Sequence, residues 1–469
     1  MRQGKNMLYA VLVACLAWAT GDSSAVRAQV PGTSGVTVFE GARLITGDGS
    51  APIEDSAFMV EGDRFTAVNR RGAVPVPAGA VRVDLSGKTV IPALIDAHVH
   101  MGYRKGLTFG PENYTRENLL DTLNRFAYYG VAAILETGTA RGDLAYQLRA
   151  EMPPGALFRT AGRGFGMPNA GPGGPMRDSA YGITTEAEAR ADVQELAAKK
   201  VDMIKIWVDD RNGTVEKLKP NLYRAIIEEA HKHNIHVLAH IVDLADVKDL
   251  LRAGVDGLAH MIRDRDIDDD LLALLKARPN VFFEQTLWGE RRALYASRPA
   301  WLDEPLLRET FSSKEIALLG EELSGNSENT PAAQRARAMG QVNLRNTARL
   351  NAAGVTLAVG TDSGGVTGEE FFGLGTHIEM ELQVTRAGLT PMQALVAGTR
   401  TPARILGLDQ LGSVAAGKSA DFIVLNANPL DNIANTRKIN RVYLRGQDIP
   451  RPALRTKWQA EFDAAPGAR

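Results

Sequence analysis

Ile95-Asp96-Ala97-His98-Val99-His100 sets two imidazoles two residues apart. In an extended chain residues i and i+2 point to the same side. His98 and His100 therefore aim at one point, as two imidazoles sharing a cation must. His-x-His alone is a common accident, but four more positions carry comparable chemistry. Lys205 lies in Val201-Asp202-Met203-Ile204-Lys205-Ile206-Trp207, an apolar run where a charged ammonium is costly to bury. Two readings are open for it. One is an ion-paired or snorkelling side chain. The other is an amine whose pKa burial lowers from about 10.4, so that it adds CO₂ and becomes a metal-bridging carbamate. His240 and His260 both close strands ending Leu-Ala-His, one strand–helix unit apart, so adjacent strands would present their rings side by side. Asp362 follows Val355-Thr356-Leu357-Ala358-Val359-Gly360-Thr361 and precedes Ser363-Gly364. It is either a helix cap or a carboxylate that holds metal and accepts a proton from water. His231, His233 and His236 sit at a helix end and at the opposite rim, and read as ordinary surface or core residues.

Something must bring these groups together. The middle of the chain alternates apolar runs, ending at His98, Thr137, Gly162, Lys205, His240, His260, Gln285 and Asp362, with helix-period stretches such as 117–129, 186–199, 221–232 and 244–253. Repeated strand–helix units predict an α/β fold with a parallel sheet. Eight such strands close into a (β/α)₈ TIM barrel with its site at their C-terminal ends. Residues 91–405 are assigned to that barrel. Short strands with Gly-rich turns fill 36–90, too few to close alone, and strand character returns at 411–425 and 441–444. Segments 36–90 and 406–447 are therefore read as one small composite β-sandwich domain, with 448–469 as a C-terminal tail. The Gly- and Pro-rich 162–182 loop and the long 288–340 insertion are candidate lids or substrate walls.

The chain opens with a positive n-region (Arg2, Lys5), an apolar stretch from Met7 to Ala19, and small residues at Val26 and Ala28. Residues 1–28 thus read as a secretory signal peptide, and the protein as exported to the periplasm or secreted. Leu12-Val13-Ala14-Cys15 also resembles a lipobox, which would leave a lipid anchor on Cys15, the only cysteine. The 469 residues carry 54 basic and 55 acidic side chains with no like-charge run, so no nucleic-acid-binding stripe is present. The partner expected is a small-molecule substrate, with no membrane span; pairing of copies is left open.

Taken in order, His98-x-His100, Lys205, His240, His260 and Asp362 resemble the amidohydrolase superfamily. Pro402-Ala403-Arg404-Ile405-Leu406-Gly407, Gly412-Ser413-Val414 and Gly417-Lys418-Ser419-Ala420-Asp421-Phe422 are also typical of it. Within it the chain is similar to the imidazolonepropionase-related group that includes bacterial Xaa-Pro and Xaa-Arg dipeptidases. His377-Ile378-Glu379-Met380-Glu381-Leu382 before Gly388-Leu389-Thr390-Pro391 resembles that group too. The resemblance implies a carboxylated Lys205 bridging two divalent metals, usually Zn²⁺, with His98, His100 and Asp362 on one and His240 and His260 on the other. Single-metal imidazolonepropionases and deaminases lack the bridging lysine. One departure stands out: Leu135-Glu136-Thr137-Gly138 occurs where relatives often carry Arg-Asp.

The expected reaction is hydrolysis of an amide bond, best matched by a dipeptide or N-acyl amino acid, through attack of a hydroxide shared by the two metals, with Asp362 as proton carrier. A lactonase or esterase on the same site, a cyclic-amide hydrolase and a non-catalytic binding protein are the alternatives. Arg163, Arg263 and Arg265 follow the third and sixth strands, where a guanidinium could grip a substrate carboxylate; the plain reading of each is a surface arginine.

Overall fold

The computed structural model describes residues 35–464 apart from 291–293, 296, 325–329 and 366–370. The proposed signal peptide and Cys15 lie outside the described residues.

Eight parallel strands carry the site: Leu94–Val99, Val131–Glu136, Leu157–Thr160, Ile204–Trp207, Val237–His240, Gly257–Ala259, Phe282–Glu284 and Thr356–Ala358. The first three form one sheet, and the fourth to eighth lie in order in another, extended by two-residue strands at Phe165–Gly166 and Tyr181–Gly182. Every residue of the first and second strands is buried, as expected of parallel strands covered by helices. The two sheets also meet each other. Ala97 N donates to Val359 O at 3.0 Å and Thr361 N to His98 O at 3.1 Å, joining first and eighth strands, while Asp202 N donates to Thr160 O at 2.9 Å beside the third and fourth.

Helices alternate with the strands, and their ends follow local chemistry. Thr115 caps Arg116–Tyr128, and Thr185 with Glu188 forms a capping box on Glu186–Ala198. Several strands stop before the ends of their apolar runs, the fifth ends at His240 as expected, and the first and fourth run longer. The fourth runs on to Trp207, so Lys205 lies inside it rather than at its end. The eighth stops at Ala358, four residues before Asp362, and the sixth stops at Ala259, just before His260. His260 (φ 70°) and Asp362 (φ 59°) both have left-handed backbone, which turns the chain out of the ladder. Apolar character cannot register that turn.

The remaining strands form two sheets. One orders Arg64–Arg70, Ser56–Glu61, Val36–Glu40 and Val81–Asp84. The other orders Arg43–Leu44, Thr89–Pro92, Phe422–Leu425, Ile439–Leu444 and Gln447–Asp448, mixing residues from both ends of the chain. Phe39, Phe58 and Phe65 of the first meet Phe422 and Tyr443 of the second in one buried cluster, with Phe58 and Phe422 ring centroids 5.2 Å apart. Each such buried ring contributes roughly 1.5–3 kcal/mol. Only Phe422–Leu425 of the strand-like 411–425 run joins a ladder. The segment after 448 contains a helix, Arg451–Ala464, whose Trp458 is fully buried against Tyr128 and donates to Asp121 Oδ1 at 2.9 Å. No helix among the described residues is long and apolar enough to cross a membrane.

Candidate metal centre

All six side chains singled out by residue type and spacing lie together at the C-terminal ends of the parallel strands. His98 and His100 come from the first strand and its end. Their Nε2 atoms lie 3.6 and 3.1 Å from Asp362 Oδ1. The approach needs Gly360, because a Cβ there would fall 2.6 Å from His98 Cβ. Lys205 is fully buried, with Nζ 3.3 Å from His98 Nε2. His260 stands 5.0 Å from His98 and 4.4 Å from His240, ring centre to ring centre. The ligand-type atoms of His98, His100 and Asp362 all lie within 4.8 Å of one another, close enough to hold one cation.

The electrostatics suit ligands. Burial, then the neighbouring Lys205, His100 and His240, hold His98 well below the ordinary imidazole range. Burial and the adjacent histidines do the same to His260. Neutral imidazoles keep the lone pair that a metal needs. Burial lowers the Lys205 amine to about 8, opposed by Glu284, Asp362 and Glu136. Burial alone would raise the Asp362 carboxyl, but the His100 hydrogen bond and charge, with Lys205 and His240, carry it below its usual value.

The rings are also aimed. A metal-binding histidine typically donates its second ring N–H to a fixed acceptor, freeing the other nitrogen. His98 Nδ1 lies 3.0 Å from Glu284 Oε2, His100 Nδ1 3.1 Å from Thr139 Oγ1, and His260 Nδ1 2.6 Å from Thr286 Oγ1. In each case Nε2 is left for a ligand. His240 Nε2 is buried without a hydrogen-bond partner, 3.5 Å from Asp209 Oδ2. These donors fit divalent cations of the zinc type.

Several contributors escaped the sequence reading. Glu284 is one; a carboxylate after Val281-Phe282-Phe283 is the same anomaly that drew attention to Lys205. Asp209 shares the parity of Lys205 and Trp207. Asp96 is fully buried and accepts from Thr361 and Thr376 hydroxyls at 2.8 and 2.9 Å, tying the start of the Asp362 turn to the first strand. Thr139 and Thr286 had no signal beyond their place in turns.

The three arginines divide. Arg163 donates to Ser179 O and Ala180 O, each at 2.9 Å, and stacks on Tyr181, so it braces the 162–182 loop. Arg265 is exposed beside Asp264. Arg263 is half-buried next to the site and donates to Ile241 O at 3.4 Å. His231 pairs with Asp256 at 2.9 Å, away from the cluster.

Behind the site, Glu379 Oε2 accepts the Trp288 amide at 2.6 Å, joining the Leu374–Thr385 helix to the start of the 288–340 insertion. Burial pushes this carboxyl up to about 8. A carboxyl raised in the folded state is neutral in both states below about 4.5. Above that the unfolded chain ionises first, and the folded state loses ground until the pH passes about 8. Glu379→Gln is therefore expected to flatten the fall in stability between pH 4.5 and 8, by about 3–5 kcal/mol across that window. Melting curves of both proteins over this range check it; parallel pH profiles would refute it.

Comparison with known proteins gives a consistent set. A family model described as the amidohydrolase family matches residues 89–449. Ochratoxinase of Aspergillus niger is 26% identical over 446 residues, spanning 85% of this chain and 82% of that one. Imidazolonepropionase of Cereibacter sphaeroides is 26% identical over 388 residues, spanning 81% and 90%. A crystal structure from Bifidobacterium longum, provisionally assigned as a prolidase, superposes with a TM-score of 0.71 at 25% identity, covering 91% of this chain and 98% of its own.

Proposed function

The chain belongs to the amidohydrolase family and is a hydrolase of carbon–nitrogen bonds, and from that premise we propose that it is an exported enzyme using two divalent cations to cleave the amide bond of a dipeptide or N-acyl amino acid. One observation carries the reading: six side chains from five separate segments of the chain, four imidazoles, a lysine and an aspartate, meet at one end of the parallel strands.

His98, His100 and Asp362 would hold one cation and His240 and His260 the other, with zinc favoured by the histidine-rich donor set. Lys205 would bridge them as a carbamate. Its neutral amine bonds to the carbon of CO₂ and loses a proton, leaving an anion with two donor oxygens. An amine lowered to about 8 supports this, since a protonated amine has no lone pair to give. When bound, the cations supply Lewis-acid chemistry, acidifying water and polarising the amide carbonyl. The chain's own part is positional. Asp362 accepts the proton of the attacking water on its carboxylate and delivers it to the departing nitrogen. Glu284, Thr139 and Thr286 keep the imidazoles aimed, and buried Trp207 walls the lysine from solvent.

The eight strands are read as a closed (β/α)₈ barrel, supported by hydrogen bonds at both junctions between the sheets. The two smaller sheets (36–90 with 406–447) are read as a β-sandwich domain, supported by their shared aromatic core. Export rests on the basic and apolar pattern of residues 1–28. The names ochratoxinase, imidazolonepropionase and prolidase denote different substrates, so the acyl and leaving groups are set by screening. Metal analysis with a panel of dipeptides, N-acyl amino acids and matched esters, with and without chelator, tests the proposal. We expect about two metals per chain and amide hydrolysis that stops on chelation. Chelator-resistant turnover would refute metal dependence, and ester-only turnover would refute the substrate class.

A further inference from the structure

A threonine hydroxyl has one proton to give, and where it goes fixes whatever sits behind its oxygen. Thr139 Oγ1 lies 2.6 Å from Glu136 Oε1 and 3.1 Å from His100 Nδ1. Glu136 ends the second parallel strand and is fully buried. Its two oxygens receive three donors: the Thr139 amide at 2.6 Å, the Thr139 hydroxyl at 2.6 Å and the Thr160 hydroxyl at 2.7 Å. Thr160 Oγ1 itself accepts the Gly162 amide at 2.9 Å, which leaves its own proton for Glu136. Burial pushes the Glu136 carboxyl up, opposed by the Thr139 and Thr160 hydrogen bonds and the His100 charge. With three donors converging on its two oxygens, it acts here as acceptor. The Thr139 proton is thus committed to Glu136, and Thr139 Oγ1 can only accept from His100.

We infer that Glu136, acting through Thr139, is a positioning residue that holds His100 as its Nδ1–H tautomer and so presents the Nε2 lone pair to the cation. The inference rests on the reading of His100 as a metal ligand given above. The hydrogen-bond chain runs one way, from His100 Nδ1–H to Thr139 Oγ1–H to Glu136 Oε1. It supplies His100 with what Glu284 supplies directly to His98.

The turn carrying Thr139 is rigid enough for the task. Tyr103 OH donates to Thr139 O at 2.9 Å, Gly164 N to Gly138 O at 2.9 Å, and Ala140 N to Gly162 O at 3.1 Å. Gly138 has φ 86°, and a Cβ on it would fall 2.8 Å from Lys205 Cβ. The turn is thereby pressed against the strand that carries the lysine. A displaced Thr139 would disturb His100 and leave His98 and His260 with their own acceptors.

The test uses the metal alone as probe. Zinc affinity is measured by competition with a chromophoric chelator, and the cobalt-substituted protein gives a visible spectrum, for wild type, Thr139→Val, Thr139→Ser and Glu136→Gln. Thr139→Val keeps the side-chain volume and removes the hydroxyl. We expect it to weaken zinc binding about 10–100-fold and to alter the cobalt bands. Thr139→Ser should restore both, and Glu136→Gln, which can still accept from Thr139, should lose less than Thr139→Val. Circular dichroism separates ligand misalignment from loss of fold. Should Thr139→Val not fold, weaker zinc binding by a folded Glu136→Gln beside a normal Thr139→Ser supports the inference, and unchanged binding overturns it. Wild-type affinity and spectrum in Thr139→Val would overturn the relay while leaving the metal reading intact. Equal loss in Thr139→Ser and Thr139→Val would do the same. A wild-type protein that binds no zinc would overturn both.

Discussion

Lys205→Ala is expected to retain fewer than two cations and to lose at least about 10³-fold in kcat, the scale on which removal of a preorganised electrostatic group is felt. The side chain has no exposure, and Gly138 on the neighbouring turn is closed against its Cβ and Cγ. It sits among His98, Glu284 and Asp362, groups that an unmodified ammonium and a carbamate would influence with opposite sign. Replacing it with alanine removes a costly buried amine along with its packing, so stability should fall by less than for an apolar truncation of similar size. Inactivity could then not be assigned to unfolding. Metal content, melting temperature and kcat on one preparation check this, with intact mass reporting one added CO₂ in the wild type. A variant with two metals and near-normal kcat would remove Lys205 from the bridging role.

Asp362→Asn separates shape from charge. Asparagine tolerates left-handed backbone better than most residues, so the φ of 59° is retained. Its amide oxygen can still face His100 Nε2, which lies 3.1 Å from the carboxylate in the native site. The amide cannot accept and return a proton, and as a neutral ligand it would hold the first cation more weakly, so kinetics are compared at matched metal content. The expected result is a kcat lower by about 10²–10⁴-fold, with KM far less affected, because the loss falls on proton transfer. Steady-state kinetics on the best substrate from the screen decides it. Loss confined to KM would mean that Asp362 binds substrate rather than carrying protons.

Much of the site was legible because its members violate the local pattern. Lys205 is a charge in an apolar strand, His98 and His100 share a face, and His240 and His260 end identical tripeptides. Such anomalies survive without coordinates, since burial makes them expensive wherever the strand lies. The groups that aim the imidazoles were not legible, with Glu284 the exception that the same logic could have caught. A threonine in a turn is ordinary in sequence, and Thr139 becomes informative only when Glu136 and His100 lie on either side of it. Strand ends failed for a related reason. The left-handed turns at His260 and Asp362 change direction without changing hydropathy, so apolar runs overstate the ladder. Short strands with Gly-rich turns marked the small sheets at both chain ends, and the shortage of strands in 36–90 pointed to the far end for the rest; which side chains meet needed contacts such as that of Phe58 with Phe422.

The junction between first and eighth strands also sets a timetable. Thr361 binds Asp96 across 265 residues, and the same seam puts Asp362 against His98 and His100. A growing polypeptide can stack most of its strand–helix units in order of synthesis, yet His98 and His100 stay without Asp362 until the eighth strand arrives. Loop-closure entropy makes so distant a pairing slow. On the proposed metal reading, the first cation would thus acquire its full donor set late in the life of the chain, and a truncated or half-folded copy would carry His98 and His100 without Asp362.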